Sequence, residues 1–372
     1  ARYPDARVHK LEVNYRSTPE ILALANASIT HNVHQYHKTL QAVRPAGVQP
    51  ACAALTDEDE QVAFVAQRIL ELRDEGVPLK EMAVLYRAHF QSILLQLELT
   101  RRGIPFEIRS GLRFYEQAHV KDVLAYLRIV ANAKDELAWK RAVKLHPGVG
   151  NATAEEIWQH VAAGAAGLDC EALRGVAPRL PSRARRGFQE FLALLATLAT
   201  LPAAPAQMIA AVLDGGYRET VKARYPNWAS RVEDLEQLAT FALRYASLEA
   251  FLTDLSLLGA ITGEDVYWDE PRDELLVLSS IHQAKGLEWS VVFLIWLVDG
   301  WFPSAAGLRE EGGLEEERRL FYVASTRAKD QLYLCHPLRT TDLRRRELIL
   351  KPSRFVQEIP EDRYERWHVQ LE

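Results

Sequence analysis

Two arginines lie in short polar runs at opposite ends of this 372-residue sequence. Arg16 belongs to the run N-Y-R-S at 14–17, and Arg327 to the run T-R-A-K at 326–329. A guanidinium group can meet the charge that spreads over a transferring γ-phosphate with two parallel hydrogen bonds. The sequence contains no G-x-x-x-x-G-K-[ST] loop, which would cradle the remaining phosphates. These residues therefore predict one half of a site that hydrolyses a nucleotide.

The composition leaves room for two domains. With 372 residues, of which 48% are hydrophobic, each domain can have its own core. The net charge of −5 and the pI of about 6.2 show no overall basic character of the kind that announces nucleic acid. A locally basic groove on an acidic protein stays compatible with these values.

The cysteines and the hydropathy pattern indicate a cellular environment. Cys52, Cys170 and Cys335 are far apart and form no C-x-x-C pair, which argues against a zinc site or a disulfide framework. We therefore expect no metal site in this chain and a reducing, cytoplasmic location. No apolar run reaches about 18 residues, so no membrane-spanning segment is expected.

The pattern of predicted elements changes twice along the chain. Up to residue 108, short apolar runs alternate with helical patterns, which is typical of a parallel sheet covered by helices. Runs rich in Ala, Leu and Arg at helical spacing follow to about residue 271, without strand signals. Strand patterns then return. The sequence predicts an α/β domain formed by 1–108 and 272–372, with an all-helical domain at 109–271 inserted into it.

Two individual helices bear on the later argument. We expect one at Gln91–Arg102 and another at Glu315–Lys329. In the second helix, the three glutamates at 315–317 are expected to complement the helix dipole and to pair with the arginines at 318 and 319.

Three runs together resemble one known family. They are L-E-V-N-Y-R-S-T at 11–18, S-I-H-Q-A-K-G-L-E-W at 280–289, and the segment around Arg327. In this order they resemble the second motor domain of UvrD/Rep-type superfamily 1 DNA helicases, and the likeness runs from about Val8 to Phe355. The resemblance implies a RecA-like parallel sheet covered by helices, with an inserted all-helical accessory domain.

The resemblance also implies residues for a nucleotide site. Arg16 and Arg327 would be catalytic arginine fingers for a γ-phosphate, although most arginines make ordinary surface ion pairs. Tyr15 would stack on adenine, and the competing interpretation is a buried core tyrosine. Gly286 and Glu288 would face the nucleotide, with Glu288 accepting from a ribose hydroxyl. Both lie in a loop between two predicted strands, where open α/β sheets place ligand contacts.

Four further residues are implied to bind DNA. His282 would face the single strand, and Arg87 would contact a phosphate. Gly148 and Gly150 belong to the run P-G-V-G-N at 147–151, which resembles a glycine hairpin that opens a helix. Backbone N–H groups at such a helix start can hold a DNA phosphate. A plain helix-turn-helix joint has the same residues, so both interpretations stay open.

The function implied by the resemblance is that of the C-terminal portion of an ATP-dependent DNA helicase moving 3′ to 5′. ATP with Mg²⁺ would be bound mainly by an N-terminal motor lobe outside this sequence, and the chain alone would be inactive. The DNA partner would be a single strand and its junction with duplex. The alternatives are part of a nuclease-helicase of the same superfamily and a non-hydrolysing DNA-binding or regulatory module. The sequence leaves the biological pathway open.

Overall fold

The structure is a computed structural model of the chain. It describes residues 12–34, 39–109, 114–164, 167–261, 274–305, 307–341 and 346–369, with the backbone alone at 257–261. The chain divides into two compact units. The first comprises Ala1–Gly111, Glu264–Thr340 and Glu347–Glu372, and the second comprises Leu112–Gly263 with Thr341–Arg346. The expected boundaries, near residues 109 and 271, fall beside or within segments outside the described residues.

Eleven strands are formed by the described residues. They are β1 (Val13–Asn14), β2 (Gln41–Ala42), β3 (Ala51–Leu55), β4 (Met82–Tyr86), β5 (Phe106–Arg109), β6 (Leu276–Ser280), β7 (Trp289–Leu294), β8 (Ala328–Pro337), β9 (Arg339–Thr341), β10 (Glu347–Ile349) and β11 (Glu365–His368).

Seven of these strands form the sheet of the first unit. Their order is β11-β3-β8-β7-β4-β6-β5, and every neighbouring pair is parallel. The register pairs Val84 of β4 with Leu278 of β6 on one side and with Phe293 of β7 on the other. All residues of β4 and β6 are buried, because helices cover both faces of a parallel sheet. The α/β parallel sheet expected from the sequence is therefore confirmed.

The helices alternate with strands in the first unit and stand alone in the second. The α-helices are α1 (Pro19–Ile29), α2 (Glu58–Asp74), α3 (Ile93–Arg101), α4 (Ala118–Ala131), α5 (Glu136–Val143), α6 (Asn151–Ala163), α7 (Cys170–Arg174), α8 (Ser182–Thr200), α9 (Pro205–Val212), α10 (Arg218–Arg224), α11 (Trp228–Ala242), α12 (Leu248–Ile261), α13 (Gly313–Ser325) and α14 (Arg354–Gln357).

Local chemistry explains where α2 begins and ends. Asp57 is its N-cap, and the side chain accepts hydrogen bonds from the backbone N–H groups of Asp59 and Glu60. Gly76 follows the helix with a φ of 96°, a left-handed conformation that glycine adopts without a steric cost. The chain is thereby turned back toward β4.

The second unit has helices and no strand over residues 114–164 and 167–261, and its Thr341 is the last residue of β9. Its α4 packs against α5, α8, α9 and α11. Large rings fill the interior between these helices, since Trp139 and Phe191 contact each other edge to face at 5.4 Å. Tyr126 contributes a further ring, and its hydroxyl is hydrogen-bonded to His146 Nε2 at 2.8 Å.

Two helices differ from their expected bounds. The first starts with a 3₁₀ turn at His89–Ser92, and its α-helical part is Ile93–Arg101. The second is Gly313–Ser325 rather than 315–329, because the chain leaves the helix at Thr326 and enters β8 at Ala328. Arg327 therefore lies in the turn between α13 and β8, where its side chain is not confined to a helix surface.

Candidate functional site

The run at 14–17 folds as a turn organised by its asparagine. The side-chain oxygen of Asn14 accepts hydrogen bonds from the backbone N–H of Arg16 at 2.8 Å and from that of Ser17 at 2.9 Å. An asparagine side chain bonded in this way mimics a backbone turn. The turn fixes the backbone of Arg16, so its side chain starts from a defined position.

The same turn is attached to the start of β8. The hydroxyl of Ser17 donates to the carbonyl of Ala328 at 2.6 Å, and the N–H of Thr18 donates to the carbonyl of Lys329 at 3.1 Å. Arg44 reinforces this attachment, because its Nη1 donates to the carbonyls of Arg16 and Lys329. Two segments that are more than 300 residues apart in sequence are thus held side by side.

Arg16 and Arg327 consequently reach the same place. Arg16 Nε donates to Glu288 Oε2 at 2.5 Å, and its Nη1 donates to the carbonyl of Thr326 at 3.3 Å. Arg327 Nη1 donates to the carbonyl of Leu287 at 3.0 Å. Both guanidinium groups therefore contact the segment at 287–288, and neither is a lone surface arginine.

The guanidinium groups of Arg16 and Arg327 are close enough for the charge of one to affect the pKa of the other. Burial, and then the charge of Arg16, lower the pKa of Arg327 to about 10, so the side chain stays protonated at neutral pH. The hydrogen bond from Arg16 lowers the pKa of Glu288, which also lies 3.7 Å from Lys329 Nζ. Three cations thus surround one carboxylate, and an added anion would relieve the repulsion between them.

The other two predicted nucleotide residues have clear positions. Tyr15 is 75% exposed, so the interpretation as a core tyrosine is wrong. Gly286 has a φ of 95°, which a residue with a side chain adopts only under strain. The glycine lets the chain turn sharply just before Glu288.

Arg16, Arg327 and Glu288 form what we call the nucleotide cluster. It lies where the parallel strands begin, which we call the amino edge of the sheet; the carboxyl edge is where they end. Glu288 directly precedes β7, and Arg327 directly precedes β8, where the N–H of Trp289 donates to the carbonyl of Arg327 at 3.0 Å. Gly286 and Glu288 do lie in a loop between two strands, as expected, at the end that leads into β7. His282 lies at the other end of this loop, just after the carboxyl end of β6. The segment at 281–288 runs from one edge of the sheet to the other.

A second cluster forms at the carboxyl edge around Arg87, which follows β4. Arg87 donates from Nε and Nη2 to the carboxylate of Glu317, with Nη2 to Oε1 at 2.6 Å. Glu317 is 3% exposed and also accepts from the N–H and the hydroxyl of Ser304. Arg87 Nη1 makes no hydrogen bond to the described residues. The pair therefore fixes the guanidinium and leaves one end available to a ligand.

This pairing corrects the expectation for the glutamates at 315–317. Glu315 and Glu316 do pair with Arg319, as expected. Glu317 instead pairs with Arg87 from a distant strand, and Arg318 pairs with Glu358. Helical spacing predicts partners on the same helix only, and these two side chains face the interior of the unit.

His282 lies close to the same cluster. Its side chain reaches solvent, while partial desolvation, followed by the charge of Arg87, lowers its pKa below the usual value. The carboxylates of Glu317 and Glu316 oppose this effect. His282 and Arg87 therefore lie near enough for their charges to interact, and each follows the carboxyl end of a strand.

The two predicted glycines of the second unit have different surroundings. Gly148 has a φ of 77°, and a Cβ built there would lie 1.9 Å from the carbonyl oxygen of Arg183 in α8. Gly150 is the N-cap of α6 and has open space around a Cβ position. Gly148 thus has a packing role in the contact with α8, and both glycines are exposed at the start of α6.

Several residues of these clusters could not be singled out from the sequence. Asn14 and Ser17 gave a signal, since both types favour turns, but their partners are far away in sequence. No sequence signal pointed to Glu317, Ser304 or Arg44, because the fold alone brings them to their hydrogen-bond partners.

Comparison with known families now places the chain in one of them. The family model of the UvrD-like helicase C-terminal domain matches residues 9–168 and 224–337. The matched chain has a parallel α/β sheet, two arginines brought together at one of its edges and the pair of Arg87 and Glu317 at the other. The chain belongs to the UvrD-like helicase C-terminal domain family.

Curated relatives agree with this family. The chain is 34% identical to DNA helicase II of Escherichia coli (strain K12) over 376 residues, which are 97% of this chain and 51% of that protein. It is 34% identical to the ATP-dependent DNA helicase PcrA of Bacillus subtilis (strain 168), over 97% of this chain and 50% of that protein. It is 32% identical to DNA helicase II of Haemophilus influenzae, over 96% of this chain and 50% of that protein. The chain spans about half the length of these relatives.

A solved structure also covers most of the chain. It is the C-terminal domain of a possible DNA helicase from Lactobacillus plantarun WCFS1, with 95% of this chain and 98% of that chain covered, 9% identity and a TM-score of 0.38. That score is too low to support a conclusion. Separately, none of the helices in the described residues combines the length and apolar character needed to cross a bilayer.

Proposed function

We propose that this chain is the second motor lobe, with its accessory domain, of an ATP-dependent DNA helicase. The observation that carries the proposal is the convergence of Arg16 and Arg327 on the segment at 287–288. A DNA-binding module that does not hydrolyse a nucleotide has no use for two fixed arginines beside an exposed tyrosine. The relatives named above, which are DNA helicases by name, support the same function.

The residues present fit the polyphosphate of ATP. Arg16, Arg327 and Lys329 form a cationic cluster whose charge is only partly balanced by Glu288 and Glu81. A γ-phosphate would compete with Glu288 for Arg16, which would free that carboxylate for a ribose hydroxyl. The exposed ring of Tyr15 would stack on the adenine base. Gly286, in the turn before β7, would face the nucleotide. Mg²⁺ and the remaining phosphates would be held mainly by the N-terminal lobe of the complete protein.

When it is bound, ATP supplies the free energy of hydrolysis, and the role of this chain is to respond to the γ-phosphate. The two arginines would stabilise charge on the transferring group and would lose that partner after hydrolysis. Their movement would be transmitted through the two elements that end at the nucleotide cluster, namely the segment at 281–288 and α13.

The DNA strand is proposed to lie on the opposite, carboxyl edge. Arg87 Nη1 and His282 face this edge, and both suit the backbone of a single strand. Gly148 and Gly150, at the start of α6, would contact the duplex at a junction through backbone N–H groups. Movement from 3′ to 5′ is part of the proposal because the family resemblance implies it.

The proposal is tested by replacing Arg327 in a protein that combines this chain with its nucleotide-binding lobe. Arg327→Ala should lower kcat for DNA-stimulated ATP hydrolysis by about 100-fold or more, with ATP affinity within a few-fold, because the arginine acts in the transition state. Steady-state kinetics and nucleotide binding measure the two effects. Arg339→Ala is the matched control, since the partners of Arg339 among the described residues are Asp57 and Glu347, away from the arginine cluster. An unchanged kcat in Arg327→Ala would exclude the finger role.

A further inference from the structure

Three aromatic rings gather beside the carboxyl edge of the sheet in the first unit. Trp296 and Trp301 are stacked, with ring centroids 4.6 Å apart and an interplanar angle of 9°. Phe90 lies 5.4 Å from Trp301 at a tilted angle. Trp296 is buried, whereas Trp301 and Phe90 are only half-buried. Part of a large aromatic surface therefore remains exposed to solvent.

The backbone that carries this surface is held in an unusual conformation. Trp296 has a φ of 58°, in the left-handed region that bulky residues rarely adopt. Its N–H donates to the buried side-chain oxygen of Gln61 at 3.0 Å. The following loop is fastened by Asp299, which accepts two hydrogen bonds from Arg354 at 2.7 and 2.9 Å. Backbone strain of this kind persists where the surroundings enforce it, and it concentrates at binding sites.

The aromatic surface adjoins the proposed DNA contacts. Phe90 is in the 3₁₀ turn that follows Arg87, and the N–H of Arg87 donates to Gln91 in the same turn. Ser304 follows Trp301 in the next loop and donates to Glu317, the partner of Arg87. The rings and the cationic side chains thus belong to one continuous surface of the first unit.

We propose that Trp301, with Phe90, forms a stacking platform for one base of a DNA single strand. A rigid ring presents flat apolar area and loses little conformational freedom on binding. Arg87 Nη1 supplies the complementary charge for the backbone of the same strand, and His282 adds an uncharged polar contact. Stacking of this kind tolerates any sequence, which suits a translocating motor. This inference rests on the proposed function, since it places the strand at the carboxyl edge.

The test uses this chain and a labelled oligothymidylate of about 12 nucleotides, within the usual footprint of single-strand binders. Fluorescence anisotropy gives the affinity at several salt concentrations. Trp301→Leu should weaken binding on the order of tenfold, because one stacked base is lost. The salt dependence should not change, since the lost contact is uncharged. Arg87→Gln should instead reduce the slope of log affinity against log salt by about 0.7.

Two controls separate stacking from a structural effect. Trp367→Leu removes another half-buried tryptophan, which lies in β11, the outermost strand of the sheet on the side of β3. This substitution should leave DNA affinity unchanged. An abasic oligonucleotide should bind equally to the unsubstituted chain and to Trp301→Leu. If Trp301→Leu fails to fold, Trp301→Phe replaces it. Phe keeps a stacking ring, so affinity should be retained while the DNA-induced quenching of tryptophan fluorescence falls.

The outcomes distinguish the two proposals. Binding that depends on Arg87 but is equal in Trp301→Leu and in the unsubstituted chain overturns the stacking platform alone. The platform is also overturned if DNA quenches the tryptophan fluorescence of Trp301→Phe as strongly as that of the unsubstituted chain. It is likewise overturned if Trp301→Leu loses affinity for abasic DNA as well. A chain that binds no oligothymidylate at all overturns both the platform and the proposed DNA edge.

Discussion

At the residue scale, the run N-Y-R-S is explained side chain by side chain. Asn14 makes the turn, Ser17 attaches it to Ala328, Arg16 reaches Glu288, and Tyr15 remains exposed. The residue types are individually ordinary. Their joint effect is to bring one guanidinium beside another that lies 311 positions later in the sequence.

Glu317 belongs to a run of three glutamates that the sequence places on a helix surface, but its side chain is buried in the folded unit. A carboxylate with a side chain 4% exposed needs a partner, because an unpaired buried charge is costly. Arg87 is that partner, and Ser304 satisfies the remaining oxygen positions. The consequence is a fixed orientation for Arg87 at the carboxyl edge of the sheet.

Removing the charge of Glu317 should therefore destabilise the first unit. We expect Glu317→Gln to lower the free energy of unfolding by about 2 kcal/mol, since Arg87 is left without its counter-charge in a mostly buried place. Chemical denaturation followed by circular dichroism measures this. Glu316→Gln is the control and should cost less than about 0.5 kcal/mol, because Glu316 forms an exposed pair with Arg319.

A double-mutant cycle then tests the pair itself. Arg87→Gln combined with Glu317→Gln should show a coupling free energy of at least about 1 kcal/mol. A coupling near zero would mean that the contact contributes nothing, and Glu317 would no longer explain the orientation of Arg87.

At the element scale, two connections link the edges of the sheet. The segment at 281–288 starts beside His282 at the carboxyl edge and ends at Glu288 at the amino edge. Helix α13 carries Glu317 toward the carboxyl edge and leads into Arg327 at the amino edge. Under the proposed function, both connections join the nucleotide cluster to the DNA cluster through a stiff piece of backbone.

In the second unit, the loop before α6 depends on a close backbone approach. Gly148→Ala should lower stability by about 2 kcal/mol or more, since the new methyl group meets the Arg183 carbonyl and the φ is positive. Thermal unfolding of this chain measures the loss. Gly150→Ala, two residues away with open space and an ordinary φ, should cost less than about 1 kcal/mol. Equal effects of the two substitutions would refute the packing role of Gly148.

At the scale of the whole molecule, the proposed function divides one reaction between two lobes. Under the proposal, this chain would contribute the arginines that contact the γ-phosphate, and the sequence contains no Walker-type loop for the other phosphates. Roughly half the length of the relatives lies outside the matched region.

The chain alone should accordingly hydrolyse ATP very slowly, with or without single-stranded DNA. A coupled assay for ADP release at saturating ATP measures this, and the complete protein serves as the positive control. Brisk DNA-stimulated turnover by the isolated chain would contradict a site shared between two lobes.

Much of the fold could be predicted from the sequence, because its evidence is local. The buried runs of β3, β4 and β7, the caps of α2 and the helical spacing of the middle region each depend on neighbours within one or two turns. The short edge strand β11, Glu365–His368, escaped prediction because its polar residues follow no apolar pattern. Its pairing with β3 depends on a neighbour that is more than 300 residues away.

The sequence by itself determined the α/β architecture, the family and the two arginines suited to a phosphate. Only the tertiary structure decided that both arginines contact the segment at 287–288, that Glu317 holds Arg87, and that Trp296, Trp301 and Phe90 form one surface. Ion pairs and ring contacts of this kind depend on distance in space. A sequence records residue types and their order, and the folded backbone alone sets which distant side chains come within a few ångströms.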